Sequence, residues 1–413
     1  MSYKDTLLSP LKIGTRTCAN RFFAAPMECC DADSGGNPTL LTSARYARLF
    51  SGGYGMVCLE AISVTSQSLA RKQQLLITPS NEKPLSAFVK DLRAVNPDPL
   101  FIFQLTHSGE LSDPSFSRSV TPRPLPGFGG ELLTDEEMDK IVDQFVLAAK
   151  IAHAVGADGV DIKLASGYLG TQLLRPYNNR DWKYGGAWEG RSRFAFEVFE
   201  RVHKEIHDDR FLVGSKIAVW EGFPGGFGSP SVDSVVYDQA EPTALIRGLE
   251  ERGATFFHES AGSPAATLDL VTTGKHAPYF AYLHSCFARD IKKIAKPETV
   301  VIGSNYAVYR NGKNGLLVES PEEASLFAFG ARNVEQGVND MIALGRQSLA
   351  DPLLPAKYRD GQEDEVDFCT LCDNCTELLI RQANIGCATY NPYYREVLKR
   401  TREQQGGALK IRH

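Results

Sequence analysis

The 413-residue chain lacks the features that define several large classes of protein. It has no apolar run of roughly 18 residues or more, so no transmembrane helix is predicted. Its first residues lack the apolar stretch of a signal peptide. Basic residues are not in excess, since 45 Lys and Arg stand against 50 Asp and Glu, and nucleic-acid binding requires a basic surface. We therefore expect a cytoplasmic protein whose partners include neither a membrane nor a nucleic acid.

A dinucleotide-binding glycine motif is also missing, which argues against an open doubly wound sheet. Gly52, Gly53 and Gly55 precede an apolar run instead of following one. Eight short apolar runs are present, each bounded by polar or turn residues, as expected of strands buried on both faces. The runs are Arg21–Pro26, Gly55–Ala61, Leu100–Leu105, Gly159–Ile162, Leu212–Val219, Ala254–His258, Val300–Gly303 and Met341–Gly345. With the helical segments between them, they predict an α/β fold, a TIM (β/α)8 barrel over residues 1–355.

Local signals add detail around this barrel. Lys12–Cys18 has the pattern of a hairpin at the barrel floor, and Ser108–Glu131, rich in Pro and Gly, is expected to cross one mouth. The capping box Thr134–Glu137 predicts a helix over Met138–Val155. Ser320–Glu323 predicts another helix start, because its proline would occupy the first helical position.

The nine cysteines are unevenly placed, and four of them are bunched near the C-terminus. These four are Cys369, Cys372, Cys375 and Cys387. In a reducing cytosol such a bunch indicates a metal site rather than disulfides. Three thiols at two-residue spacing favour a 4Fe–4S cluster, because zinc sites more often use two separated C-x2-C pairs. Zinc or free thiols are the alternatives, and residues 356–413, the cysteine segment, form a separate unit in this prediction.

Motifs at successive strand ends resemble the old yellow enzyme family of FMN-dependent oxidoreductases over roughly residues 7–400. They are Asn20–Met27, Phe103–Gly109, Gly159–Ile162, Gly167–Leu169, Gln172–Leu174, Asn179–Asp181, Tyr184–Gly186, Arg191–Phe194, Leu344–Gln347 and Ala350–Pro352. The cysteine segment, with Asn391-Pro392 after it, resembles the iron–sulfur branch, in particular the N-terminal parts of 2,4-dienoyl-CoA reductase and trimethylamine dehydrogenase. Those proteins continue into nucleotide-binding domains, which we do not expect in this chain.

The resemblance implies an FMN site at the C-terminal ends of the strands. Gln104 matches the residue on the pyrimidine edge of the flavin, and Lys216 stands where relatives usually have Arg, near N1 and O2 of the ring. The loops after strands seven and eight are where barrels usually hold phosphate. The expected cofactor contacts are Pro26, Met27, Ala61, Gln104, Lys216, Gly303, Ser304, Gly345 and Arg346.

The substrate end departs from the family pattern. Lys163 and Ser166 stand where most relatives have two hydrogen-bond donors that polarise a carbonyl oxygen. Tyr168 matches the family's proton donor, and Lys163 could bind an oxyanion or carboxylate. For each of the two, a purely structural role is the alternative. His107 follows the third strand and is expected either to line the pocket or to be a structural histidine.

Glu28 is a second departure, because relatives place Thr or Cys at this position near flavin N5. A carboxylate there would disfavour a negative reduced flavin or would relay protons. A shift of one or two residues would bring Cys29 or Cys30 to the ring instead, and the two readings are balanced. Otherwise we interpret Cys29 and Cys30 as small buried apolar residues rather than a redox pair.

These observations predict an oxidoreductase with FMN and a 4Fe–4S cluster that reduces an activated C=C bond, as an ene-reductase does. Its electrons would come through the cluster from a ferredoxin or flavoprotein, or directly from NADH or NADPH. An amine dehydrogenase or demethylase of the trimethylamine dehydrogenase type is the enzymatic alternative. A zinc-stapled barrel without catalysis is the other alternative, and a homo-oligomer is compatible with the sequence.

Overall fold

The computed structural model describes residues 2–313 and 322–411. In chain order its strands are β1 (Leu11–Ile13), β2 (Arg16–Cys18), β3 (Phe22–Ala24), β4 (Met56–Ser63), β5 (Leu100–Thr106), β6 (Val120–Thr121), β7 (Glu131–Leu132), β8 (Gly159–Ile162), β9 (Leu212–Ala218), β10 (Phe256–Ser260), β11 (Val300–Gly303) and β12 (Met341–Leu344). Its α-helices are α1 (Tyr3–Leu8), α2 (Leu40–Ser51), α3 (Glu82–Val95), α4 (Asp135–Ala154), α5 (Leu169–Leu174), α6 (Trp188–Arg191), α7 (Arg193–Glu205), α8 (Ala240–Glu250), α9 (Leu268–Val271), α10 (Phe280–Ile294), α11 (Leu326–Glu335), α12 (Arg346–Ala350), α13 (Leu354–Arg359), α14 (Asn374–Ile380) and α15 (Pro392–Gln404).

Eight parallel strands form a closed barrel in the order β3, β4, β5, β8, β9, β10, β11 and β12. Pairing of β12 with β3, with Ala343 opposite Phe23, closes the ring. The TIM barrel predicted from the sequence is confirmed, and all eight predicted strands are found with ends within two residues of the prediction. Seven of the eight barrel strands are buried at every residue, which is why each appears in the sequence as a continuous apolar run.

The barrel floor is sealed by the β1–β2 hairpin, as predicted. Its strands pair antiparallel, and Gly14 at the turn has a left-handed backbone with φ of +55°. Ile13 and Cys18 are buried against residues at the strand starts, such as Met56 and Leu100. Because the floor is closed by apolar packing, only the opposite end, the mouth, is available for a site.

Helix α4 shows the predicted capping box and begins three residues before the predicted span. The Thr134 hydroxyl accepts from the Glu137 N–H, and the Glu137 carboxylate accepts from the Thr134 N–H. The helix start predicted at Ser320–Glu323 lies largely outside the described residues. Helix α11 begins further on at Leu326, where the Ser325 hydroxyl accepts from the Ala328 N–H.

The segment Ser108–Glu131 crosses the mouth, as expected. Its Glu110 carboxylate accepts a hydrogen bond from Arg175, which also pairs with Glu221 through a Nε–Oε2 contact of 2.8 Å. Arg175 follows β8 and Glu221 follows β9, so this buried ion network ties the segment to two neighbouring strand ends. No helix among residues 2–313 and 322–411 is long and apolar enough to cross a membrane.

The cysteine segment packs against the loop after β3. The Ile385 N–H donates to the Cys29 carbonyl at 2.9 Å, and Cys29 and Cys30 are buried among Leu378 and Tyr394. The two vicinal cysteines therefore serve as small apolar side chains in this seam. The unit boundary proposed at residues 355/356 falls inside α13, whose Tyr358 stacks on Phe327 of the barrel at a centroid distance of 4.0 Å.

Candidate active site

A cluster of four charged or polar side chains lies at the mouth, with Glu28 at its centre. Lys163 Nζ donates to Glu28 Oε1 at 3.3 Å, and the Tyr168 hydroxyl donates to the same oxygen. Arg71 Nε donates to Glu28 Oε2 at 3.1 Å. Lys163 Nζ also lies 3.4 Å from the centroid of the Tyr168 ring, a cation–π contact. We call these four residues the Glu28 group.

The Glu28 group combines elements that are far apart in the sequence. Glu28 follows β3, Arg71 lies in the loop after β4, and Lys163 and Tyr168 follow β8. In a parallel barrel these three strand ends open at the same mouth. The structure therefore brings together Glu28, Lys163 and Tyr168, whereas Cys29 and Cys30 are buried against the cysteine segment.

Burial and mutual contact set the protonation of this group. Burial acts to raise the pKa of Glu28, but the charges of Lys163 and Arg71 and the Tyr168 hydrogen bond outweigh it and lower that pKa to about 2. Burial lowers the pKa of Lys163 to about 8 although Glu28 opposes the shift. Burial and the Glu28 charge raise the pKa of Tyr168 well above its usual value. At neutral pH the group thus holds one carboxylate, two cations and a protonated phenol.

Ser166 lies in the turn between Lys163 and Tyr168. Its φ is +60° and that of Gly167 is +71°, so two successive residues have a left-handed backbone. Such a backbone is uncommon outside glycine and is found where the surrounding structure enforces it. The turn is held by Gln172, whose Nε2 donates to the Gly167 carbonyl at 2.7 Å. Ser166 therefore shapes the chain that carries Tyr168.

The structure places His107 apart from the Glu28 group. Its Nδ1 accepts from the Gly109 N–H at 3.2 Å and lies 3.4 Å from the Ser68 hydroxyl. Burial, reinforced by the charge of Arg118, lowers the pKa of His107 to about 3, so the ring is neutral. These contacts fit the structural alternative for His107, beneath the segment that crosses the mouth.

A cavity opens at the barrel mouth, and Met27, the residue before Glu28, is part of its lining. We call it the central cavity. Six of the nine expected cofactor residues line it: Pro26, Met27, Lys216, Ser304, Gly345 and Arg346. Its other lining residues include His258, His284 and Asn305, which the sequence analysis did not select. The expected FMN contacts thus converge on one space.

The remaining three expected cofactor residues do not line this cavity. Gly303 ends β11, where an added Cβ would lie 2.8 Å from Asn339 Oδ1, so a side chain there would collide with the wall. Ala61 lies on β4 and its carbonyl accepts from Gln74 Nε2 at 3.1 Å. Gln104 lies on β5, and its Nε2 donates to Asp161 Oδ2 at 2.7 Å.

Two cations mark the central cavity. No carboxylate of the described residues lies within 4.0 Å of Lys216 Nζ, and burial lowers the pKa of this ammonium. Arg346 is buried; its Nη2 donates to the Thr273 carbonyl at 2.6 Å and its Nη1 lies 3.5 Å from Asp373 Oδ1. The charges of Asp161 and Glu259 act on Lys216 without forming an ion pair, so its ammonium can face a ligand with an anionic edge.

A second cavity, of about 320 Å³, is lined by Cys369, Cys372, Cys375 and Cys387 together with Arg346. We call it the cysteine cavity. Gln347 of α12 ties it to the barrel, because its Oε1 accepts from the Cys369 N–H at 2.9 Å. Across the described residues, no three His, Cys, Asp or Glu side chains are close enough together to hold a single metal ion. The four thiols therefore surround a space rather than a point.

The sequence matches a known family over more than half its length. Residues 6–229 match the NADH:flavin oxidoreductase / NADH oxidase family. The chain belongs to this family. The resemblance to old yellow enzymes is confirmed.

Curated relatives span several activities. The chain is 26% identical over 400 residues to an NADH oxidase of Thermoanaerobacter brockii, covering 94% of this chain and 54% of the relative. It is 27% identical over 416 residues to a cinnamate reductase of Clostridium sporogenes, with 94% and 57% covered. It is 26% identical over 397 residues to a dimethylamine dehydrogenase of a Hyphomicrobium strain, with 90% and 48% covered. The chain spans about half the length of these relatives.

Among solved structures, a 2-naphthoyl-CoA reductase in complex with 2-naphthoyl-CoA superposes with a TM-score of 0.77 at 20% identity. The match covers 96% of this chain and 58% of the other chain. At 20% identity, this similarity supports a shared fold and nothing more. It extends beyond the barrel, because 96% coverage leaves little of the chain unmatched.

Two groups at the site escaped the sequence analysis. Arg71 lies in a loop whose sequence carries no motif, and only the tertiary fold brings it to Glu28. His258 lies within a predicted strand, where a polar residue among apolar neighbours is a signal that it faces an interior cavity. The sequence analysis gave that signal no weight.

Proposed function

We propose that the protein is an FMN- and 4Fe–4S-dependent oxidoreductase that reduces an activated C=C bond of a small molecule. The observation that carries this proposal is the Glu28 group, a proton-bearing phenol held by a carboxylate and two cations, near a cavity lined by the Lys216 ammonium. The family supports the flavin. Cinnamate reductase, a relative named for its activity on an unsaturated acid, supports the reaction class.

The central cavity fits FMN in its charge and its walls. Lys216 supplies a cation for the N1 and O2 edge of the ring, where negative charge develops on reduction. Ser304, Gly345 and Arg346 would hold the phosphate, since the glycine leaves room for a close approach and the guanidinium offers charge-assisted hydrogen bonds. When bound, FMN would supply the hydride at its N5 atom.

The Glu28 group would supply the proton that completes reduction. Tyr168 would donate its hydroxyl proton to the carbon that does not receive the hydride. Glu28 Oε1 contacts both the Tyr168 hydroxyl and Lys163 Nζ, so a proton from Lys163 can restore the phenol through this carboxylate. A lysine with a pKa of about 8 is suited to this, because it exchanges protons readily near neutral pH.

The cysteine cavity would hold the 4Fe–4S cluster through Cys369, Cys372, Cys375 and Cys387. Three of these thiols follow one another at two-residue spacing, whereas zinc sites more often use two separated C-x2-C pairs. A cluster with four iron corners accepts thiolates spread around a larger volume. When bound, it would carry single electrons between the flavin and an outside donor. Arg346 lines both cavities and so connects them.

The proposal for the electron donor rests on the family and on its relatives. A ferredoxin or a flavoprotein would reduce the cluster, or NADH or NADPH would reduce the flavin directly. The family name and the NADH oxidase relative favour NADH as one donor. The chain matches only about half the length of its relatives. We therefore do not propose for this chain any donor that binds the other half of a relative.

Amine dehydrogenation is the second candidate, favoured by the dimethylamine dehydrogenase relative. The charge at the mouth argues against it. Lys163 and Arg71 provide two positive charges against the single carboxylate of Glu28, and this excess repels a cationic amine. An enoate, enone or enoyl thioester meets no such repulsion.

The test is to purify the full chain without oxygen and to assay flavin, iron and acid-labile sulfide in one sample. We expect about one FMN and one 4Fe–4S cluster per chain. NADH, NADPH and reduced ferredoxin are then compared as reductants, followed by an enoate or an amine as substrate. Zinc without sulfide would refute the cluster, and reduction of the bound flavin by an amine would favour the second candidate.

A further inference from the structure

Arg71 is the most exposed member of the Glu28 group, and it has a hydrogen-bond donor to spare. Its side chain is 20% exposed, against 11% for Glu28 and 7% for Lys163. Its Nε donates to Glu28 Oε2 at 3.1 Å and its Nη1 to the Ala70 carbonyl at 3.2 Å. Its Nη2 has no partner among the described residues and is not one of their buried atoms, so solvent reaches it. One end of the guanidinium is therefore open to a ligand.

The backbone on both sides of Arg71 is held in place by two glutamine side chains. Gln382 of the cysteine segment donates from Nε2 to the Ala70 carbonyl at 3.0 Å and accepts at Oε1 from the Lys72 N–H at 3.1 Å. Gln74 Oε1 accepts from the Ala70 N–H at 3.1 Å. Because this turn of the loop is already ordered, less conformational freedom is lost when Arg71 binds a ligand.

The charges of the Glu28 group leave room for one more anion. The single carboxylate of Glu28 stands against the two cations Arg71 and Lys163. Burial lowers the pKa of Lys163 to about 8, and its ammonium already contacts Glu28 and the Tyr168 ring. The guanidinium of Arg71 stays charged at any pH near neutrality, and its planar N–H groups match a carboxylate. Arg71 is thus the cation best placed to receive an anionic substrate.

Arg71 also lies next to the proposed proton donor. Its Nε contacts Glu28 Oε2, and the Tyr168 hydroxyl contacts the other oxygen of the same carboxylate. A substrate that is protonated by Tyr168 would therefore lie beside the guanidinium. In an α,β-unsaturated acid the protonated α carbon is bonded directly to the carboxyl carbon. The carboxylate of such a substrate would then come within reach of Arg71 Nη2.

We infer that Arg71 is a substrate-binding residue whose Nη2 donates to the carboxylate of an α,β-unsaturated acid. The inference rests on the proposed function, because it requires Tyr168 to protonate the substrate. When the hydride adds to the β carbon, the electron pair of the C=C bond moves toward the carboxyl group, and the proton from Tyr168 then adds to the α carbon. Negative charge develops on the carboxylate oxygens during this step, and the Arg71 cation stabilises it. The contact favours acids over uncharged alkenes such as enones.

The test compares acids with ketones of the same carbon skeleton. Crotonate and cinnamate are each paired with their methyl ketone, in which a methyl group replaces one carboxylate oxygen. The full-length holoprotein is reduced without oxygen and mixed with each compound, and the second-order rate constant of flavin reoxidation is measured. We expect Arg71→Gln to lower this constant about 10–100-fold for the acids and less than about threefold for the ketones.

Two further variants and a binding assay accompany this comparison. Arg71→Lys keeps a cation beside Glu28 but loses the planar fork, so its loss with the acids should be smaller than that of Arg71→Gln. Lys72→Gln is the matched control, because Lys72 is an adjacent, exposed cation and its loss should change neither class of compound. The saturated acids butyrate and 3-phenylpropanoate measure binding without turnover. Arg71→Gln should raise their dissociation constants by about tenfold or more.

Equal losses for acids and ketones in Arg71→Gln would overturn the inference and would leave Arg71 as a support for Glu28. Unchanged reduction of the acids by a folded Arg71→Gln protein would also overturn it, as would a wild-type protein that reduces the ketones but not the acids. A wild-type protein that reduces none of the four compounds would instead refute the proposed function itself. The two failures are therefore distinguishable.

Discussion

The Glu28 group and the central cavity lie side by side at the barrel mouth, and they differ in how their polar atoms are satisfied. In the Glu28 group each charge has a partner within the protein, since Lys163, Arg71 and Tyr168 all contact one carboxylate. In the central cavity the Lys216 ammonium forms no ion pair with the described residues, although the charges of Asp161 and Glu259 act on it. Each charge of the first arrangement is paired without a ligand, whereas the second can gain an ion pair from one.

This difference separates two tasks. A self-contained hydrogen-bonded group keeps its geometry whether or not a ligand is present, which suits proton transfer. A cavity with a cation outside any ion pair gains free energy when a complementary ligand enters. The cysteine cavity belongs with the second kind, because its four thiols surround a space. Substitutions in the two kinds of region should therefore fail in different ways.

The largest effect is expected in the cysteine cavity. Cys372→Ala should lose most of the iron and sulfide, because one corner of the cluster would have no thiolate. The variant should keep its FMN, since the flavin residues lie on the barrel. Iron, sulfide and flavin assays on protein prepared without oxygen measure this, with Cys286→Ala of helix α10 as the control that should retain all three. Full iron content in Cys372→Ala would refute the ligand assignment.

The next effect concerns Tyr168. Tyr168→Phe should slow substrate reduction by about 10²–10⁴-fold, the usual contribution of general acid catalysis, while reduction of the flavin by its donor stays near normal. Rapid mixing measures the two half-reactions separately. Tyr54→Phe is the control, because the Tyr54 hydroxyl is buried without a hydrogen-bond partner among the described residues. Equal slowing of both half-reactions would indicate a structural role for Tyr168.

A smaller effect is expected for Arg346. Arg346→Gln should raise the FMN dissociation constant roughly 10–100-fold, because charge-assisted hydrogen bonds to phosphate are lost. Equilibrium dialysis measures the retained flavin. Arg359→Gln removes an exposed guanidinium that pairs with Asp360 and should change nothing. If both variants keep FMN equally well, the phosphate lies elsewhere.

The smallest effect is a shift in pH dependence. If protonated Lys163 restores the phenol, activity should fall as the pH rises through about 8, the pKa of this lysine. The Glu28 charge raises that pKa, so Glu28→Gln should move the alkaline limb to lower pH. The rate of substrate reduction is measured against pH at a saturating donor concentration, for wild type and for Glu28→Gln. The alkaline limbs of the two profiles are then compared. A limb at the same pH in both proteins would show that Lys163 is not the group that titrates.

The barrel could be predicted from the sequence because each strand is a buried apolar run between turns. The hairpin floor and the α4 cap followed from local patterns as well. The limit of the barrel is not visible in the sequence, because helix α13 joins it through tertiary contacts such as the packing of Tyr358 on Phe22 and Phe327. Local sequence patterns do not predict boundaries that are set by contacts between residues far apart in the chain.

The same distinction holds for the site. Tyr168, Lys163 and Lys216 were identified because they stand at strand ends within family motifs, and the structure places them at the mouth. Arg71 was missed because a long loop brings it to Glu28, and no local pattern encodes that approach. His107 has a strand-end position too, but Gly109 and Ser68 hold its ring away from the Glu28 group. The orientation of the His107 ring depends on the fold of the segment that crosses the mouth.

In the proposed reaction, residues of the central cavity would hold FMN, which would supply the hydride, and the Glu28 group would supply the proton to an activated C=C bond. The most direct measurement is a single turnover without oxygen, in which the reduced wild-type protein is mixed with an unsaturated carboxylic acid in deuterated water. The account predicts reoxidation of one flavin per molecule of saturated product, with solvent deuterium at the carbon that does not receive the hydride. A reduced flavin that stays reduced with every activated alkene tested, but is formed rapidly from an amine, would contradict it.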